Sequence, residues 1–137
     1  MLTVQRIDHF VITCRDIAAT LRFYTEVLGM KEVTFGNGRK ALAFGRQKIN
    51  LHPVGQLADP VLKHVAAIAA HPTPGSADVC FVVGEPLDAV IAHLGACGVP
   101  IEEGPVVRTG AVGPIHSLYV RDPDGNLIEL SNYRDED

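Results

Sequence analysis

A concealed internal repeat is the feature that most constrains how this chain can fold. The offset that lays His9 on Asp78 also lays Gly29 on Gly98, and a somewhat larger offset aligns the segments that follow. In each copy a mostly apolar run is followed by a helical pattern, a glycine and three short strand-like runs. The repeat therefore predicts an α+β fold made of two β-α-β-β-β modules.

Turn-forming residues set the borders of the predicted elements. Asp16 is placed to cap the first helix, because its carboxylate can accept hydrogen bonds from the free N–H groups of the first turn. Gly29 and Gly98 suit the left-handed position after a helix, and Pro86 fits the first turn of the second helix. The segment 36–38 predicts a hairpin. The predicted strands are 6–14, 31–35, 40–44 and 48–52 in the first module, and 78–83, 101–107, 115–121 and 127–131 in the second.

Size and composition fit one globular domain, since the chain has 137 residues and 47% of them are hydrophobic. We predict a single domain whose first module covers 1–52 and whose second covers 78–137, joined by 53–77. A module of this size is marginally stable alone, so we expect the two to bury their faces against each other or against a partner. Apolar residues at 61, 62, 65, 66 and 69 predict a short helix in the joint.

The charge balance and the cysteines exclude several classes of protein. Twelve basic and 16 acidic side chains give a net charge of −4, whereas nucleic-acid binders usually carry a basic patch. The chain lacks a signal-peptide start and any apolar run of the roughly 18 residues that a membrane helix needs. Cys14, Cys80 and Cys97 form no CxxC pair, which predicts reduced thiols in a cytoplasmic protein. Cys80 could be a cavity thiol, and we interpret it as a small buried hydrophobe.

Strand alternation gathers polar side chains on the face of each predicted sheet that the helix leaves uncovered. These side chains are His9, Asn50, His52, Asp78 and Glu129. Burying such groups without partners is costly, so they require an explanation. His9, His52 and Glu129 have the composition of a two-histidine, one-carboxylate metal site. Asp78 could replace one of these ligands. The alternative is a polar cavity or interface whose groups pair with each other or with water.

Three segments carry a resemblance to a known family. They read IDHFVI on the first strand, FYTEVLGM at the end of the first helix and YVRDPDGNLIEL near the end of the chain. The chain resembles the vicinal oxygen chelate superfamily, which includes glyoxalase I, extradiol dioxygenases, and fosfomycin and bleomycin resistance proteins. Segments 39–42, 47–52, 71–76 and 103–110 resemble the branch of glyoxalase domain-containing protein five and its bacterial relatives, some labelled virulence proteins. The likeness covers nearly the whole chain except about 55–68.

The resemblance implies a fold in which paired modules curl into a cupped mixed sheet around a metal ion. In the superfamily the metal ligands lie on the first and fourth strands of the modules. The matching positions here are His9, Asn50, Asp78 and Glu129. Asn50 stands where glyoxalase I has a glutamate, and Asp78 stands where many members have a histidine. His52, two residues beyond Asn50 on the same predicted face, is available to compensate.

The resemblance also implies roles for residues of the second module. Ser117, Tyr119 and Arg121 share a strand face, which by the pattern of the superfamily lines the cavity. Tyr119 could hydrogen-bond a substrate oxygen, or it could be an amphipathic wall residue. Arg108, placed with Thr109 in the longer loop around 104–113, could clamp an anionic substrate or remain in a solvated loop.

We therefore predict a metal-dependent lyase or isomerase of the glyoxalase type, which chelates two vicinal oxygens of a small polar substrate. The predicted roles are catalytic for Glu129 and Tyr119; substrate binding for Asn50, Ser117, Tyr119 and Arg108; and metal binding for His9, His52, Asp78 and Glu129. The divalent metal could be Ni, Zn, Co, Mn or Fe. The alternatives are an enzyme related to extradiol dioxygenases and a metal-free binding or resistance protein. We expect a homodimer with no nucleic-acid or membrane partner.

Overall fold

Two four-stranded mixed sheets with the same strand order form the framework of the computed structural model, which describes residues 1–55 and 67–133. The chain divides into two compact units, Met1–Gly75 and Ser76–Asp137. Within the residues that the structure describes, each unit has one sheet and one helical segment, so the predicted α+β class and the two β-α-β-β-β modules are confirmed. The interpretation of both modules as a single domain with a joint at 53–77 stays a prediction.

The first unit contains a parallel strand pair at one edge of its sheet. Its elements are β1 (His9–Cys14), α1 (Ile17–Arg22) with a π-helical continuation (Phe23–Val27), β2 (Lys31–Phe35), β3 (Arg39–Phe44) and β4 (Gln47–Pro53). The strand order is β1-β4-β3-β2, with β1 parallel to β4 and the other neighbours antiparallel. The helical segment begins the long connection that a parallel pair needs, and β2 and β3 complete it before the chain reaches β4.

Local signals in the sequence account for the limits of α1. The Asp16 carboxylate accepts a hydrogen bond from the Ala19 amide at 3.2 Å, as predicted for its cap. Gly29, with a φ of +72°, turns the chain out of the helical segment. The predicted helical spacing holds through Tyr24, which is 1% exposed, although the backbone changes to π-helical geometry at Phe23. The core beneath this segment contains Ile12, Cys14, Met30, Leu42, Ile49 and Leu51.

The second unit repeats the arrangement. Its elements are β5 (Asp78–Val82), α2 (Leu87–Ala96), β6 (Glu103–Thr109), β7 (Pro114–Arg121) and β8 (Leu127–Asn132), and its strand order is β5-β8-β7-β6. Pro86 is the residue that precedes α2 rather than part of its first turn. Gly98, with a φ of +70°, follows the helix end as predicted. The core of this unit contains Val90, Leu94, Leu118, Val120, Ile128 and Leu130.

The strand β6 corrects the sequence prediction for the longer loop of the second module. Arg108 and Thr109 lie in β6, where they pair with Ile115 and Pro114 of β7, rather than in a loop. The register between β6 and β7 shifts after Glu103. At the shift, Gly104 has a φ of +110°, and a Cβ added there would lie 2.5 Å from the Ser117 carbonyl oxygen. Because β6 continues past this irregularity to Thr109, the alternation of side chains in the sequence does not predict where the strand ends.

Other expectations fall on parts of the chain that the structure does not describe. The helix predicted around 61–69 lies almost wholly outside the described residues, and the tail 134–137 lies outside them as well. No helix in the described ranges is long and apolar enough to cross a membrane.

Candidate active site

The second sheet groups several of the predicted site residues on the face that carries no helix. The residues on either side of Glu129 in β8 are buried in the core, so Glu129 and Ser131 occupy the opposite face. Across the β7–β8 pair, Tyr119 lies opposite Glu129 and Ser117 lies opposite Ser131. The structure therefore brings Ser117, Tyr119 and Glu129 together on what we call the second helix-free face.

The Glu129 carboxylate is anchored through one of its two oxygens. The Ser117 hydroxyl donates to Oε2 at 2.6 Å, and the Ser131 hydroxyl lies 3.5 Å from the same atom. Both serines are fully buried, and their hydroxyl oxygens are 2.7 Å apart. A short hydrogen bond to an ionised acceptor is stronger than a neutral one. Oε1 makes no hydrogen bond within the described residues, so it is the oxygen available to a ligand or proton.

Cys80 extends this hydrogen-bonded cluster. Its Sγ lies 3.2 Å from the Ser131 hydroxyl. Burial raises the pKa of the Cys80 thiol and the nearby Glu129 and Asp78 charges raise it further, whereas the bond to Ser131 lowers it. The thiol is therefore protonated near neutral pH, which argues against a nucleophilic thiolate. The Cys80 residue as a whole is exposed to solvent, although its thiol is partly buried. The interpretation of Cys80 as a small buried hydrophobe is therefore wrong.

Arg108 already hydrogen-bonds two side chains, as well as the carbonyl oxygen of the preceding residue. Its Nε donates to the Tyr119 hydroxyl at 3.0 Å, and its Nη2 donates to Glu103 Oε2 at 2.8 Å. Both bonds raise the pKa of the Arg108 guanidinium, and the bond to Tyr119 has the larger effect. Because the Tyr119 oxygen accepts from Arg108, its own proton is free to be donated to a ligand. The guanidinium, by contrast, would have to share these contacts with an anionic substrate.

Asp78 stands at the edge of this group. It is the exposed first residue of β5, pairs with Leu127, and lies two residues before Cys80 on the same face. Within the described residues no hydrogen bond joins it to Glu129. The structure therefore places Asp78 on the predicted face without linking it to the anchored carboxylate.

In the first unit, His9 is oriented by the residue before it. His9 Nδ1 lies 2.7 Å from Asp8 Oδ2, with side-chain exposures of 45% and 76%. The hydrogen bond from His9 lowers the pKa of the Asp8 carboxyl, and burial opposes that effect. A histidine that donates from Nδ1 to a carboxylate presents its other nitrogen for metal ligation, and this pairing is common around metal-bound histidines.

His52 and Asn50 lie buried in β4, each 5% exposed. Asn50 Oδ1 makes no hydrogen bond within the described residues, although a buried polar atom left in that state costs about 1–3 kcal/mol. His9 pairs with Lys48 of β4, whereas His52 pairs with Thr13 of β1. At about 3.3 Å per residue, the two histidines are roughly 13 Å apart along the strands. The first sheet therefore does not bring His9 and His52 to a common point.

The structure orients individual candidate ligands but does not group three of them at one point within the described residues. In the part of the chain that the structure describes, no three His, Cys, Asp or Glu side chains lie close enough to hold a metal ion. The chemistry of two donors nevertheless suits a divalent metal. Asp8 orients the His9 ring, and Ser117 fixes one Glu129 oxygen while leaving the other available.

Three residues that the sequence reasoning missed lie on the helix-free face of the first sheet. The Arg39 guanidinium and the Lys48 ammonium both lie over the Phe35 ring, at 4.8 Å and 3.7 Å from its centroid. The sequence contained the signal for this group, because Lys48 and Asn50 share a face by alternation and the 36–38 hairpin sets Arg39 opposite Phe35. The signal appears only when face assignment is extended to the second and third strands.

Two relatives align with almost the whole chain. The chain is 52% identical over 132 residues to Virulence protein STM3117 of Salmonella typhimurium, covering 96% of this chain and 87% of the relative. It is 54% identical over 134 residues to Glyoxalase domain-containing protein RDO1 of Mycosarcoma maydis, covering 98% of this chain and 72% of the relative. The predicted resemblance to a branch with glyoxalase-domain and virulence-labelled members is thereby confirmed.

Solved structures match the fold closely. The crystal structure of the Salmonella typhimurium virulence protein superposes with a TM-score of 0.88, covering 97% of this chain and 100% of that chain. An integron cassette protein of V. cholerae, 49% identical, gives 0.88 and covers 98% and 99%. Lactoylglutathione lyase of Agrobacterium tumefaciens, 23% identical, gives 0.72 and covers 96% of each chain. At that identity the last likeness shows the fold alone.

The family itself is matched along most of the sequence. The sequence model described as the Glyoxalase/Bleomycin resistance protein/Dioxygenase superfamily matches residues 6–130. The match begins just before β1 and ends within β8, so it includes both repeats and both helix-free faces. The chain therefore belongs to the glyoxalase/bleomycin resistance protein/dioxygenase superfamily.

Proposed function

We propose that the protein is a metal-dependent lyase or isomerase of the glyoxalase type that acts on a small polar molecule, with Glu129 as its central acidic group. The observation that carries this proposal is the Glu129 carboxylate, held by Ser117 at 2.6 Å and facing Tyr119 across the β7–β8 pair. A carboxylate fixed through one oxygen offers the other in a defined direction, which suits both metal ligation and proton transfer.

The residues around Glu129 have complementary tasks in such a reaction. Glu129 Oε1 is the atom that would take a proton from a substrate carbon or ligate the metal. The Tyr119 hydroxyl, which accepts from Arg108, would donate to an oxygen that becomes negative during the reaction. Ser117 and Ser131 keep Oε2 occupied, so the carboxylate does not rotate when its other oxygen reacts.

His9 and Glu129 are the residues we propose as metal ligands, with Asp78 or Asn50 as further donors. Support comes from Asp8 on His9 Nδ1 and from Ser117 on Glu129. A divalent metal bound there would supply Lewis-acid polarisation of two vicinal oxygens. Nickel, zinc or cobalt would favour the lyase or isomerase reaction, whereas ferrous iron would favour a reaction of the extradiol dioxygenase type.

A second candidate function is supported by Asn50. Its buried Oδ1 makes no hydrogen bond within the described residues, so a bound molecule with a donor group would relieve that cost. A neutral amide at this position suits ligand recognition as well as catalysis. The second candidate is therefore a metal-free small-molecule binding protein with the same fold. A cytoplasmic location and a homodimer belong to both proposals.

The metal content of the protein separates the two candidates. The wild type, purified without chelator or affinity tag, should carry about one equivalent of divalent metal per chain by elemental mass spectrometry. Glu129→Gln keeps an acceptor for Ser117 but loses the charge, so this variant and His9→Ala should both lose the metal. Matched controls are Glu32→Gln and His93→Gln, which lie on β2 and on α2.

Metal in the wild type that survives both site substitutions would contradict the ligand assignment. Less than about 0.1 equivalent in the wild type, with no calorimetric binding of added divalent metals, would contradict the metal-dependent enzyme and support the binding protein.

A further inference from the structure

The helix-free face of the first sheet carries positive charge without acidic side chains. The register places on it His9, Val11 and Thr13 of β1; Lys48, Asn50 and His52 of β4; Arg39, Ala41 and Ala43 of β3; and Lys31, Val33 and Phe35 of β2. None of these strand residues is an aspartate or a glutamate. The face therefore combines three permanent cations and two histidines, and no carboxylate of these four strands compensates them.

Arg39 and Lys48 converge on one aromatic ring. The Arg39 guanidinium carbon lies 4.8 Å and the Lys48 ammonium 3.7 Å from the centroid of the Phe35 ring. Both cations are half-buried. Since both contact the same ring, the two positive charges are held close to each other on one side of the sheet.

Neither cation has an ion pair within the described residues. Arg39 Nε is also buried there without a hydrogen-bond partner. Lys40, the neighbour of Arg39 in β3, lies on the opposite face and pairs with Glu32 at 2.9 Å. Asp8, just before β1, is occupied by His9, which lowers its pKa more than Lys48 does. The charge on the helix-free face is thus a property of this face and not of the unit as a whole.

The physical cost of this arrangement points to an anionic ligand. Removing cations from water without a counter-charge is unfavourable, and two like charges near one ring repel each other. The attraction of a cation to an aromatic face offsets only part of that cost. A carboxylate that contacts both side chains would offset part of their charge and would satisfy the free N–H of Arg39 through a charge-assisted hydrogen bond.

Asn50 adds a second recognition element on the same face. It lies two residues beyond Lys48 in β4 and pairs with Ala41, which lies two residues beyond Arg39 in β3. It is 5% exposed, and its Oδ1 has no hydrogen bond within the described residues. An acceptor next to two cations is satisfied by a ligand that carries a hydroxyl beside its carboxylate.

We propose that the helix-free face of the first sheet binds a small hydroxycarboxylate, whose carboxylate contacts Arg39 and Lys48 and whose hydroxyl donates to Asn50 Oδ1. The proposal names a ligand class for the enzyme proposed above, and it rests on that function only in treating the ligand as the substrate. The proposed roles of Arg39, Lys48 and Asn50 are binding and specificity.

Titration of the protein with malate tests the carboxylate contacts. At low ionic strength, malate should shift the Arg39 Nε–H signal in ¹⁵N-resolved NMR spectra and should give a saturable calorimetric isotherm. Arg39→Met and Lys48→Met should each weaken malate binding about ten-fold or more, since each removes a charge-assisted contact. Lys40→Met is the matched control and should bind malate as the wild type does, because Lys40 lies on the other face.

Matched ligands test the chemical class. Malamide, the uncharged diamide of malate, should not bind, and inorganic phosphate should bind more weakly than malate. Succinate, which lacks the hydroxyl, should bind several-fold more weakly than malate to the wild type. Asn50→Leu should remove this preference while it keeps succinate affinity, since only the hydroxyl acceptor is lost. Phosphate stronger than malate would identify a phosphate site and overturn the hydroxycarboxylate assignment.

The same titrations separate this proposal from the proposed enzyme. Glu129→Gln should abolish metal binding and leave the malate affinity of the metal-free protein unchanged, whereas Arg39→Met should weaken malate binding and leave the metal content unchanged. The inference is overturned if malate neither binds nor shifts the Arg39 signal, if malamide binds as tightly as malate, or if Lys40→Met weakens binding as much as Lys48→Met.

Discussion

The two helix-free faces have the same strand order and different chemistry. On the second face, the cation Arg108 is matched by Glu103 at 2.8 Å, and the Glu129 carboxylate is anchored by Ser117. On the first face, Arg39 and Lys48 lie over Phe35 and have no ion pair within the described residues. The second face pairs its cation and anchors its carboxylate within the sheet, whereas the first face holds two cations without an ion pair in the described residues.

Equivalent positions explain the difference. Asn50 in β4 and Glu129 in β8 are matching residues of the repeat, and each faces one residue of the preceding strand. That residue is Ala41 in the first sheet and Tyr119 in the second. Two positions earlier lie Arg39 and Ser117, respectively. The backbone fixes where side chains meet, but residue type decides whether they satisfy one another, so fold alone does not define function.

The largest effect is expected at Gly104, where the second sheet has a close approach that the first lacks. An added Cβ would lie 2.5 Å from the Ser117 carbonyl oxygen, and φ is +110°. Gly104→Ala should therefore lower the free energy of unfolding by about 3 kcal/mol in urea denaturation. Gly84→Ala, with no atom within 4 Å of its added Cβ, should change stability by less than about 0.5 kcal/mol. Equal effects of the two substitutions would disprove the close approach.

Removal of the Ser117 hydroxyl should leave Glu129 Oε2 without its short hydrogen bond, as Asn50 Oδ1 is left without one on the first face. Ser117→Ala should cost about 2 kcal/mol at neutral pH, because a hydrogen bond to a carboxylate is lost. Ser131→Ala should cost less, since its contact with Glu129 is 3.5 Å. A double-mutant cycle with Glu129→Leu isolates the Ser117–Glu129 pair. A coupling energy near zero would show that Ser117 does not hold the carboxylate.

Asn50→Glu should convert the first face toward the pattern of the second. A glutamate beside Arg39 and Lys48 would supply the missing counter-charge and compete with an anionic ligand. Malate affinity measured by calorimetry should fall about ten-fold or more. Asn50→Gln keeps the charge of the face and is the control. If Asn50→Glu binds malate as the wild type does, the cations on this face are not the anion site.

A smaller effect is expected at Cys80. Burial in the folded protein raises the pKa of the Cys80 thiol above its usual value of 9.0. The rate of alkylation by iodoacetamide should therefore reach half of its maximum at a pH above 9.0. Because Ser131 lowers this pKa and Glu129 raises it, Ser131→Ala should move the midpoint up and Glu129→Gln should move it down. The unfolded chain loses the proton first, so stability should decline as pH rises through the folded pKa. Mass spectrometry of the modified peptide reports the midpoint, and opposite shifts would refute the assigned causes.

Alternation and turn residues were sufficient to predict much of this molecule. The repeat led to both sheets, and the period of two placed Ser117, Tyr119 and Glu129 on one face, because side-chain direction follows from strand geometry. The same rule does not give rotamers or distances, so the 2.6 Å bond between Ser117 and Glu129 was beyond the sequence. Nor does it give the register between strands, and the register of the β1–β4 pair separates His9 from His52 by four residue positions.

Two further residues, Arg108 and Arg39, have placements that local sequence patterns do not predict. The sequence predicts a loop at Arg108 because the second copy of the repeat is longer between its helix and its last strand, whereas the structure places Arg108 in β6, beyond a register shift. Arg39 does not stand out in the sequence when faces are assigned only to the first and fourth strands, because its contact with Phe35 lies between the second and third strands. Both cases depend on pairing between strands, which a single sequence specifies only indirectly.

The central position of the last strand in each sheet has a consequence for the order of assembly. The segment Gln47–Pro53 pairs with both β1 and β3, and Leu127–Asn132 pairs with both β5 and β7. During synthesis, β1 and β5 therefore emerge long before the strand that completes their hydrogen bonds. Each sheet closes only when its final strand arrives, so a chain shortened before Leu127 loses the middle of the second sheet rather than its edge.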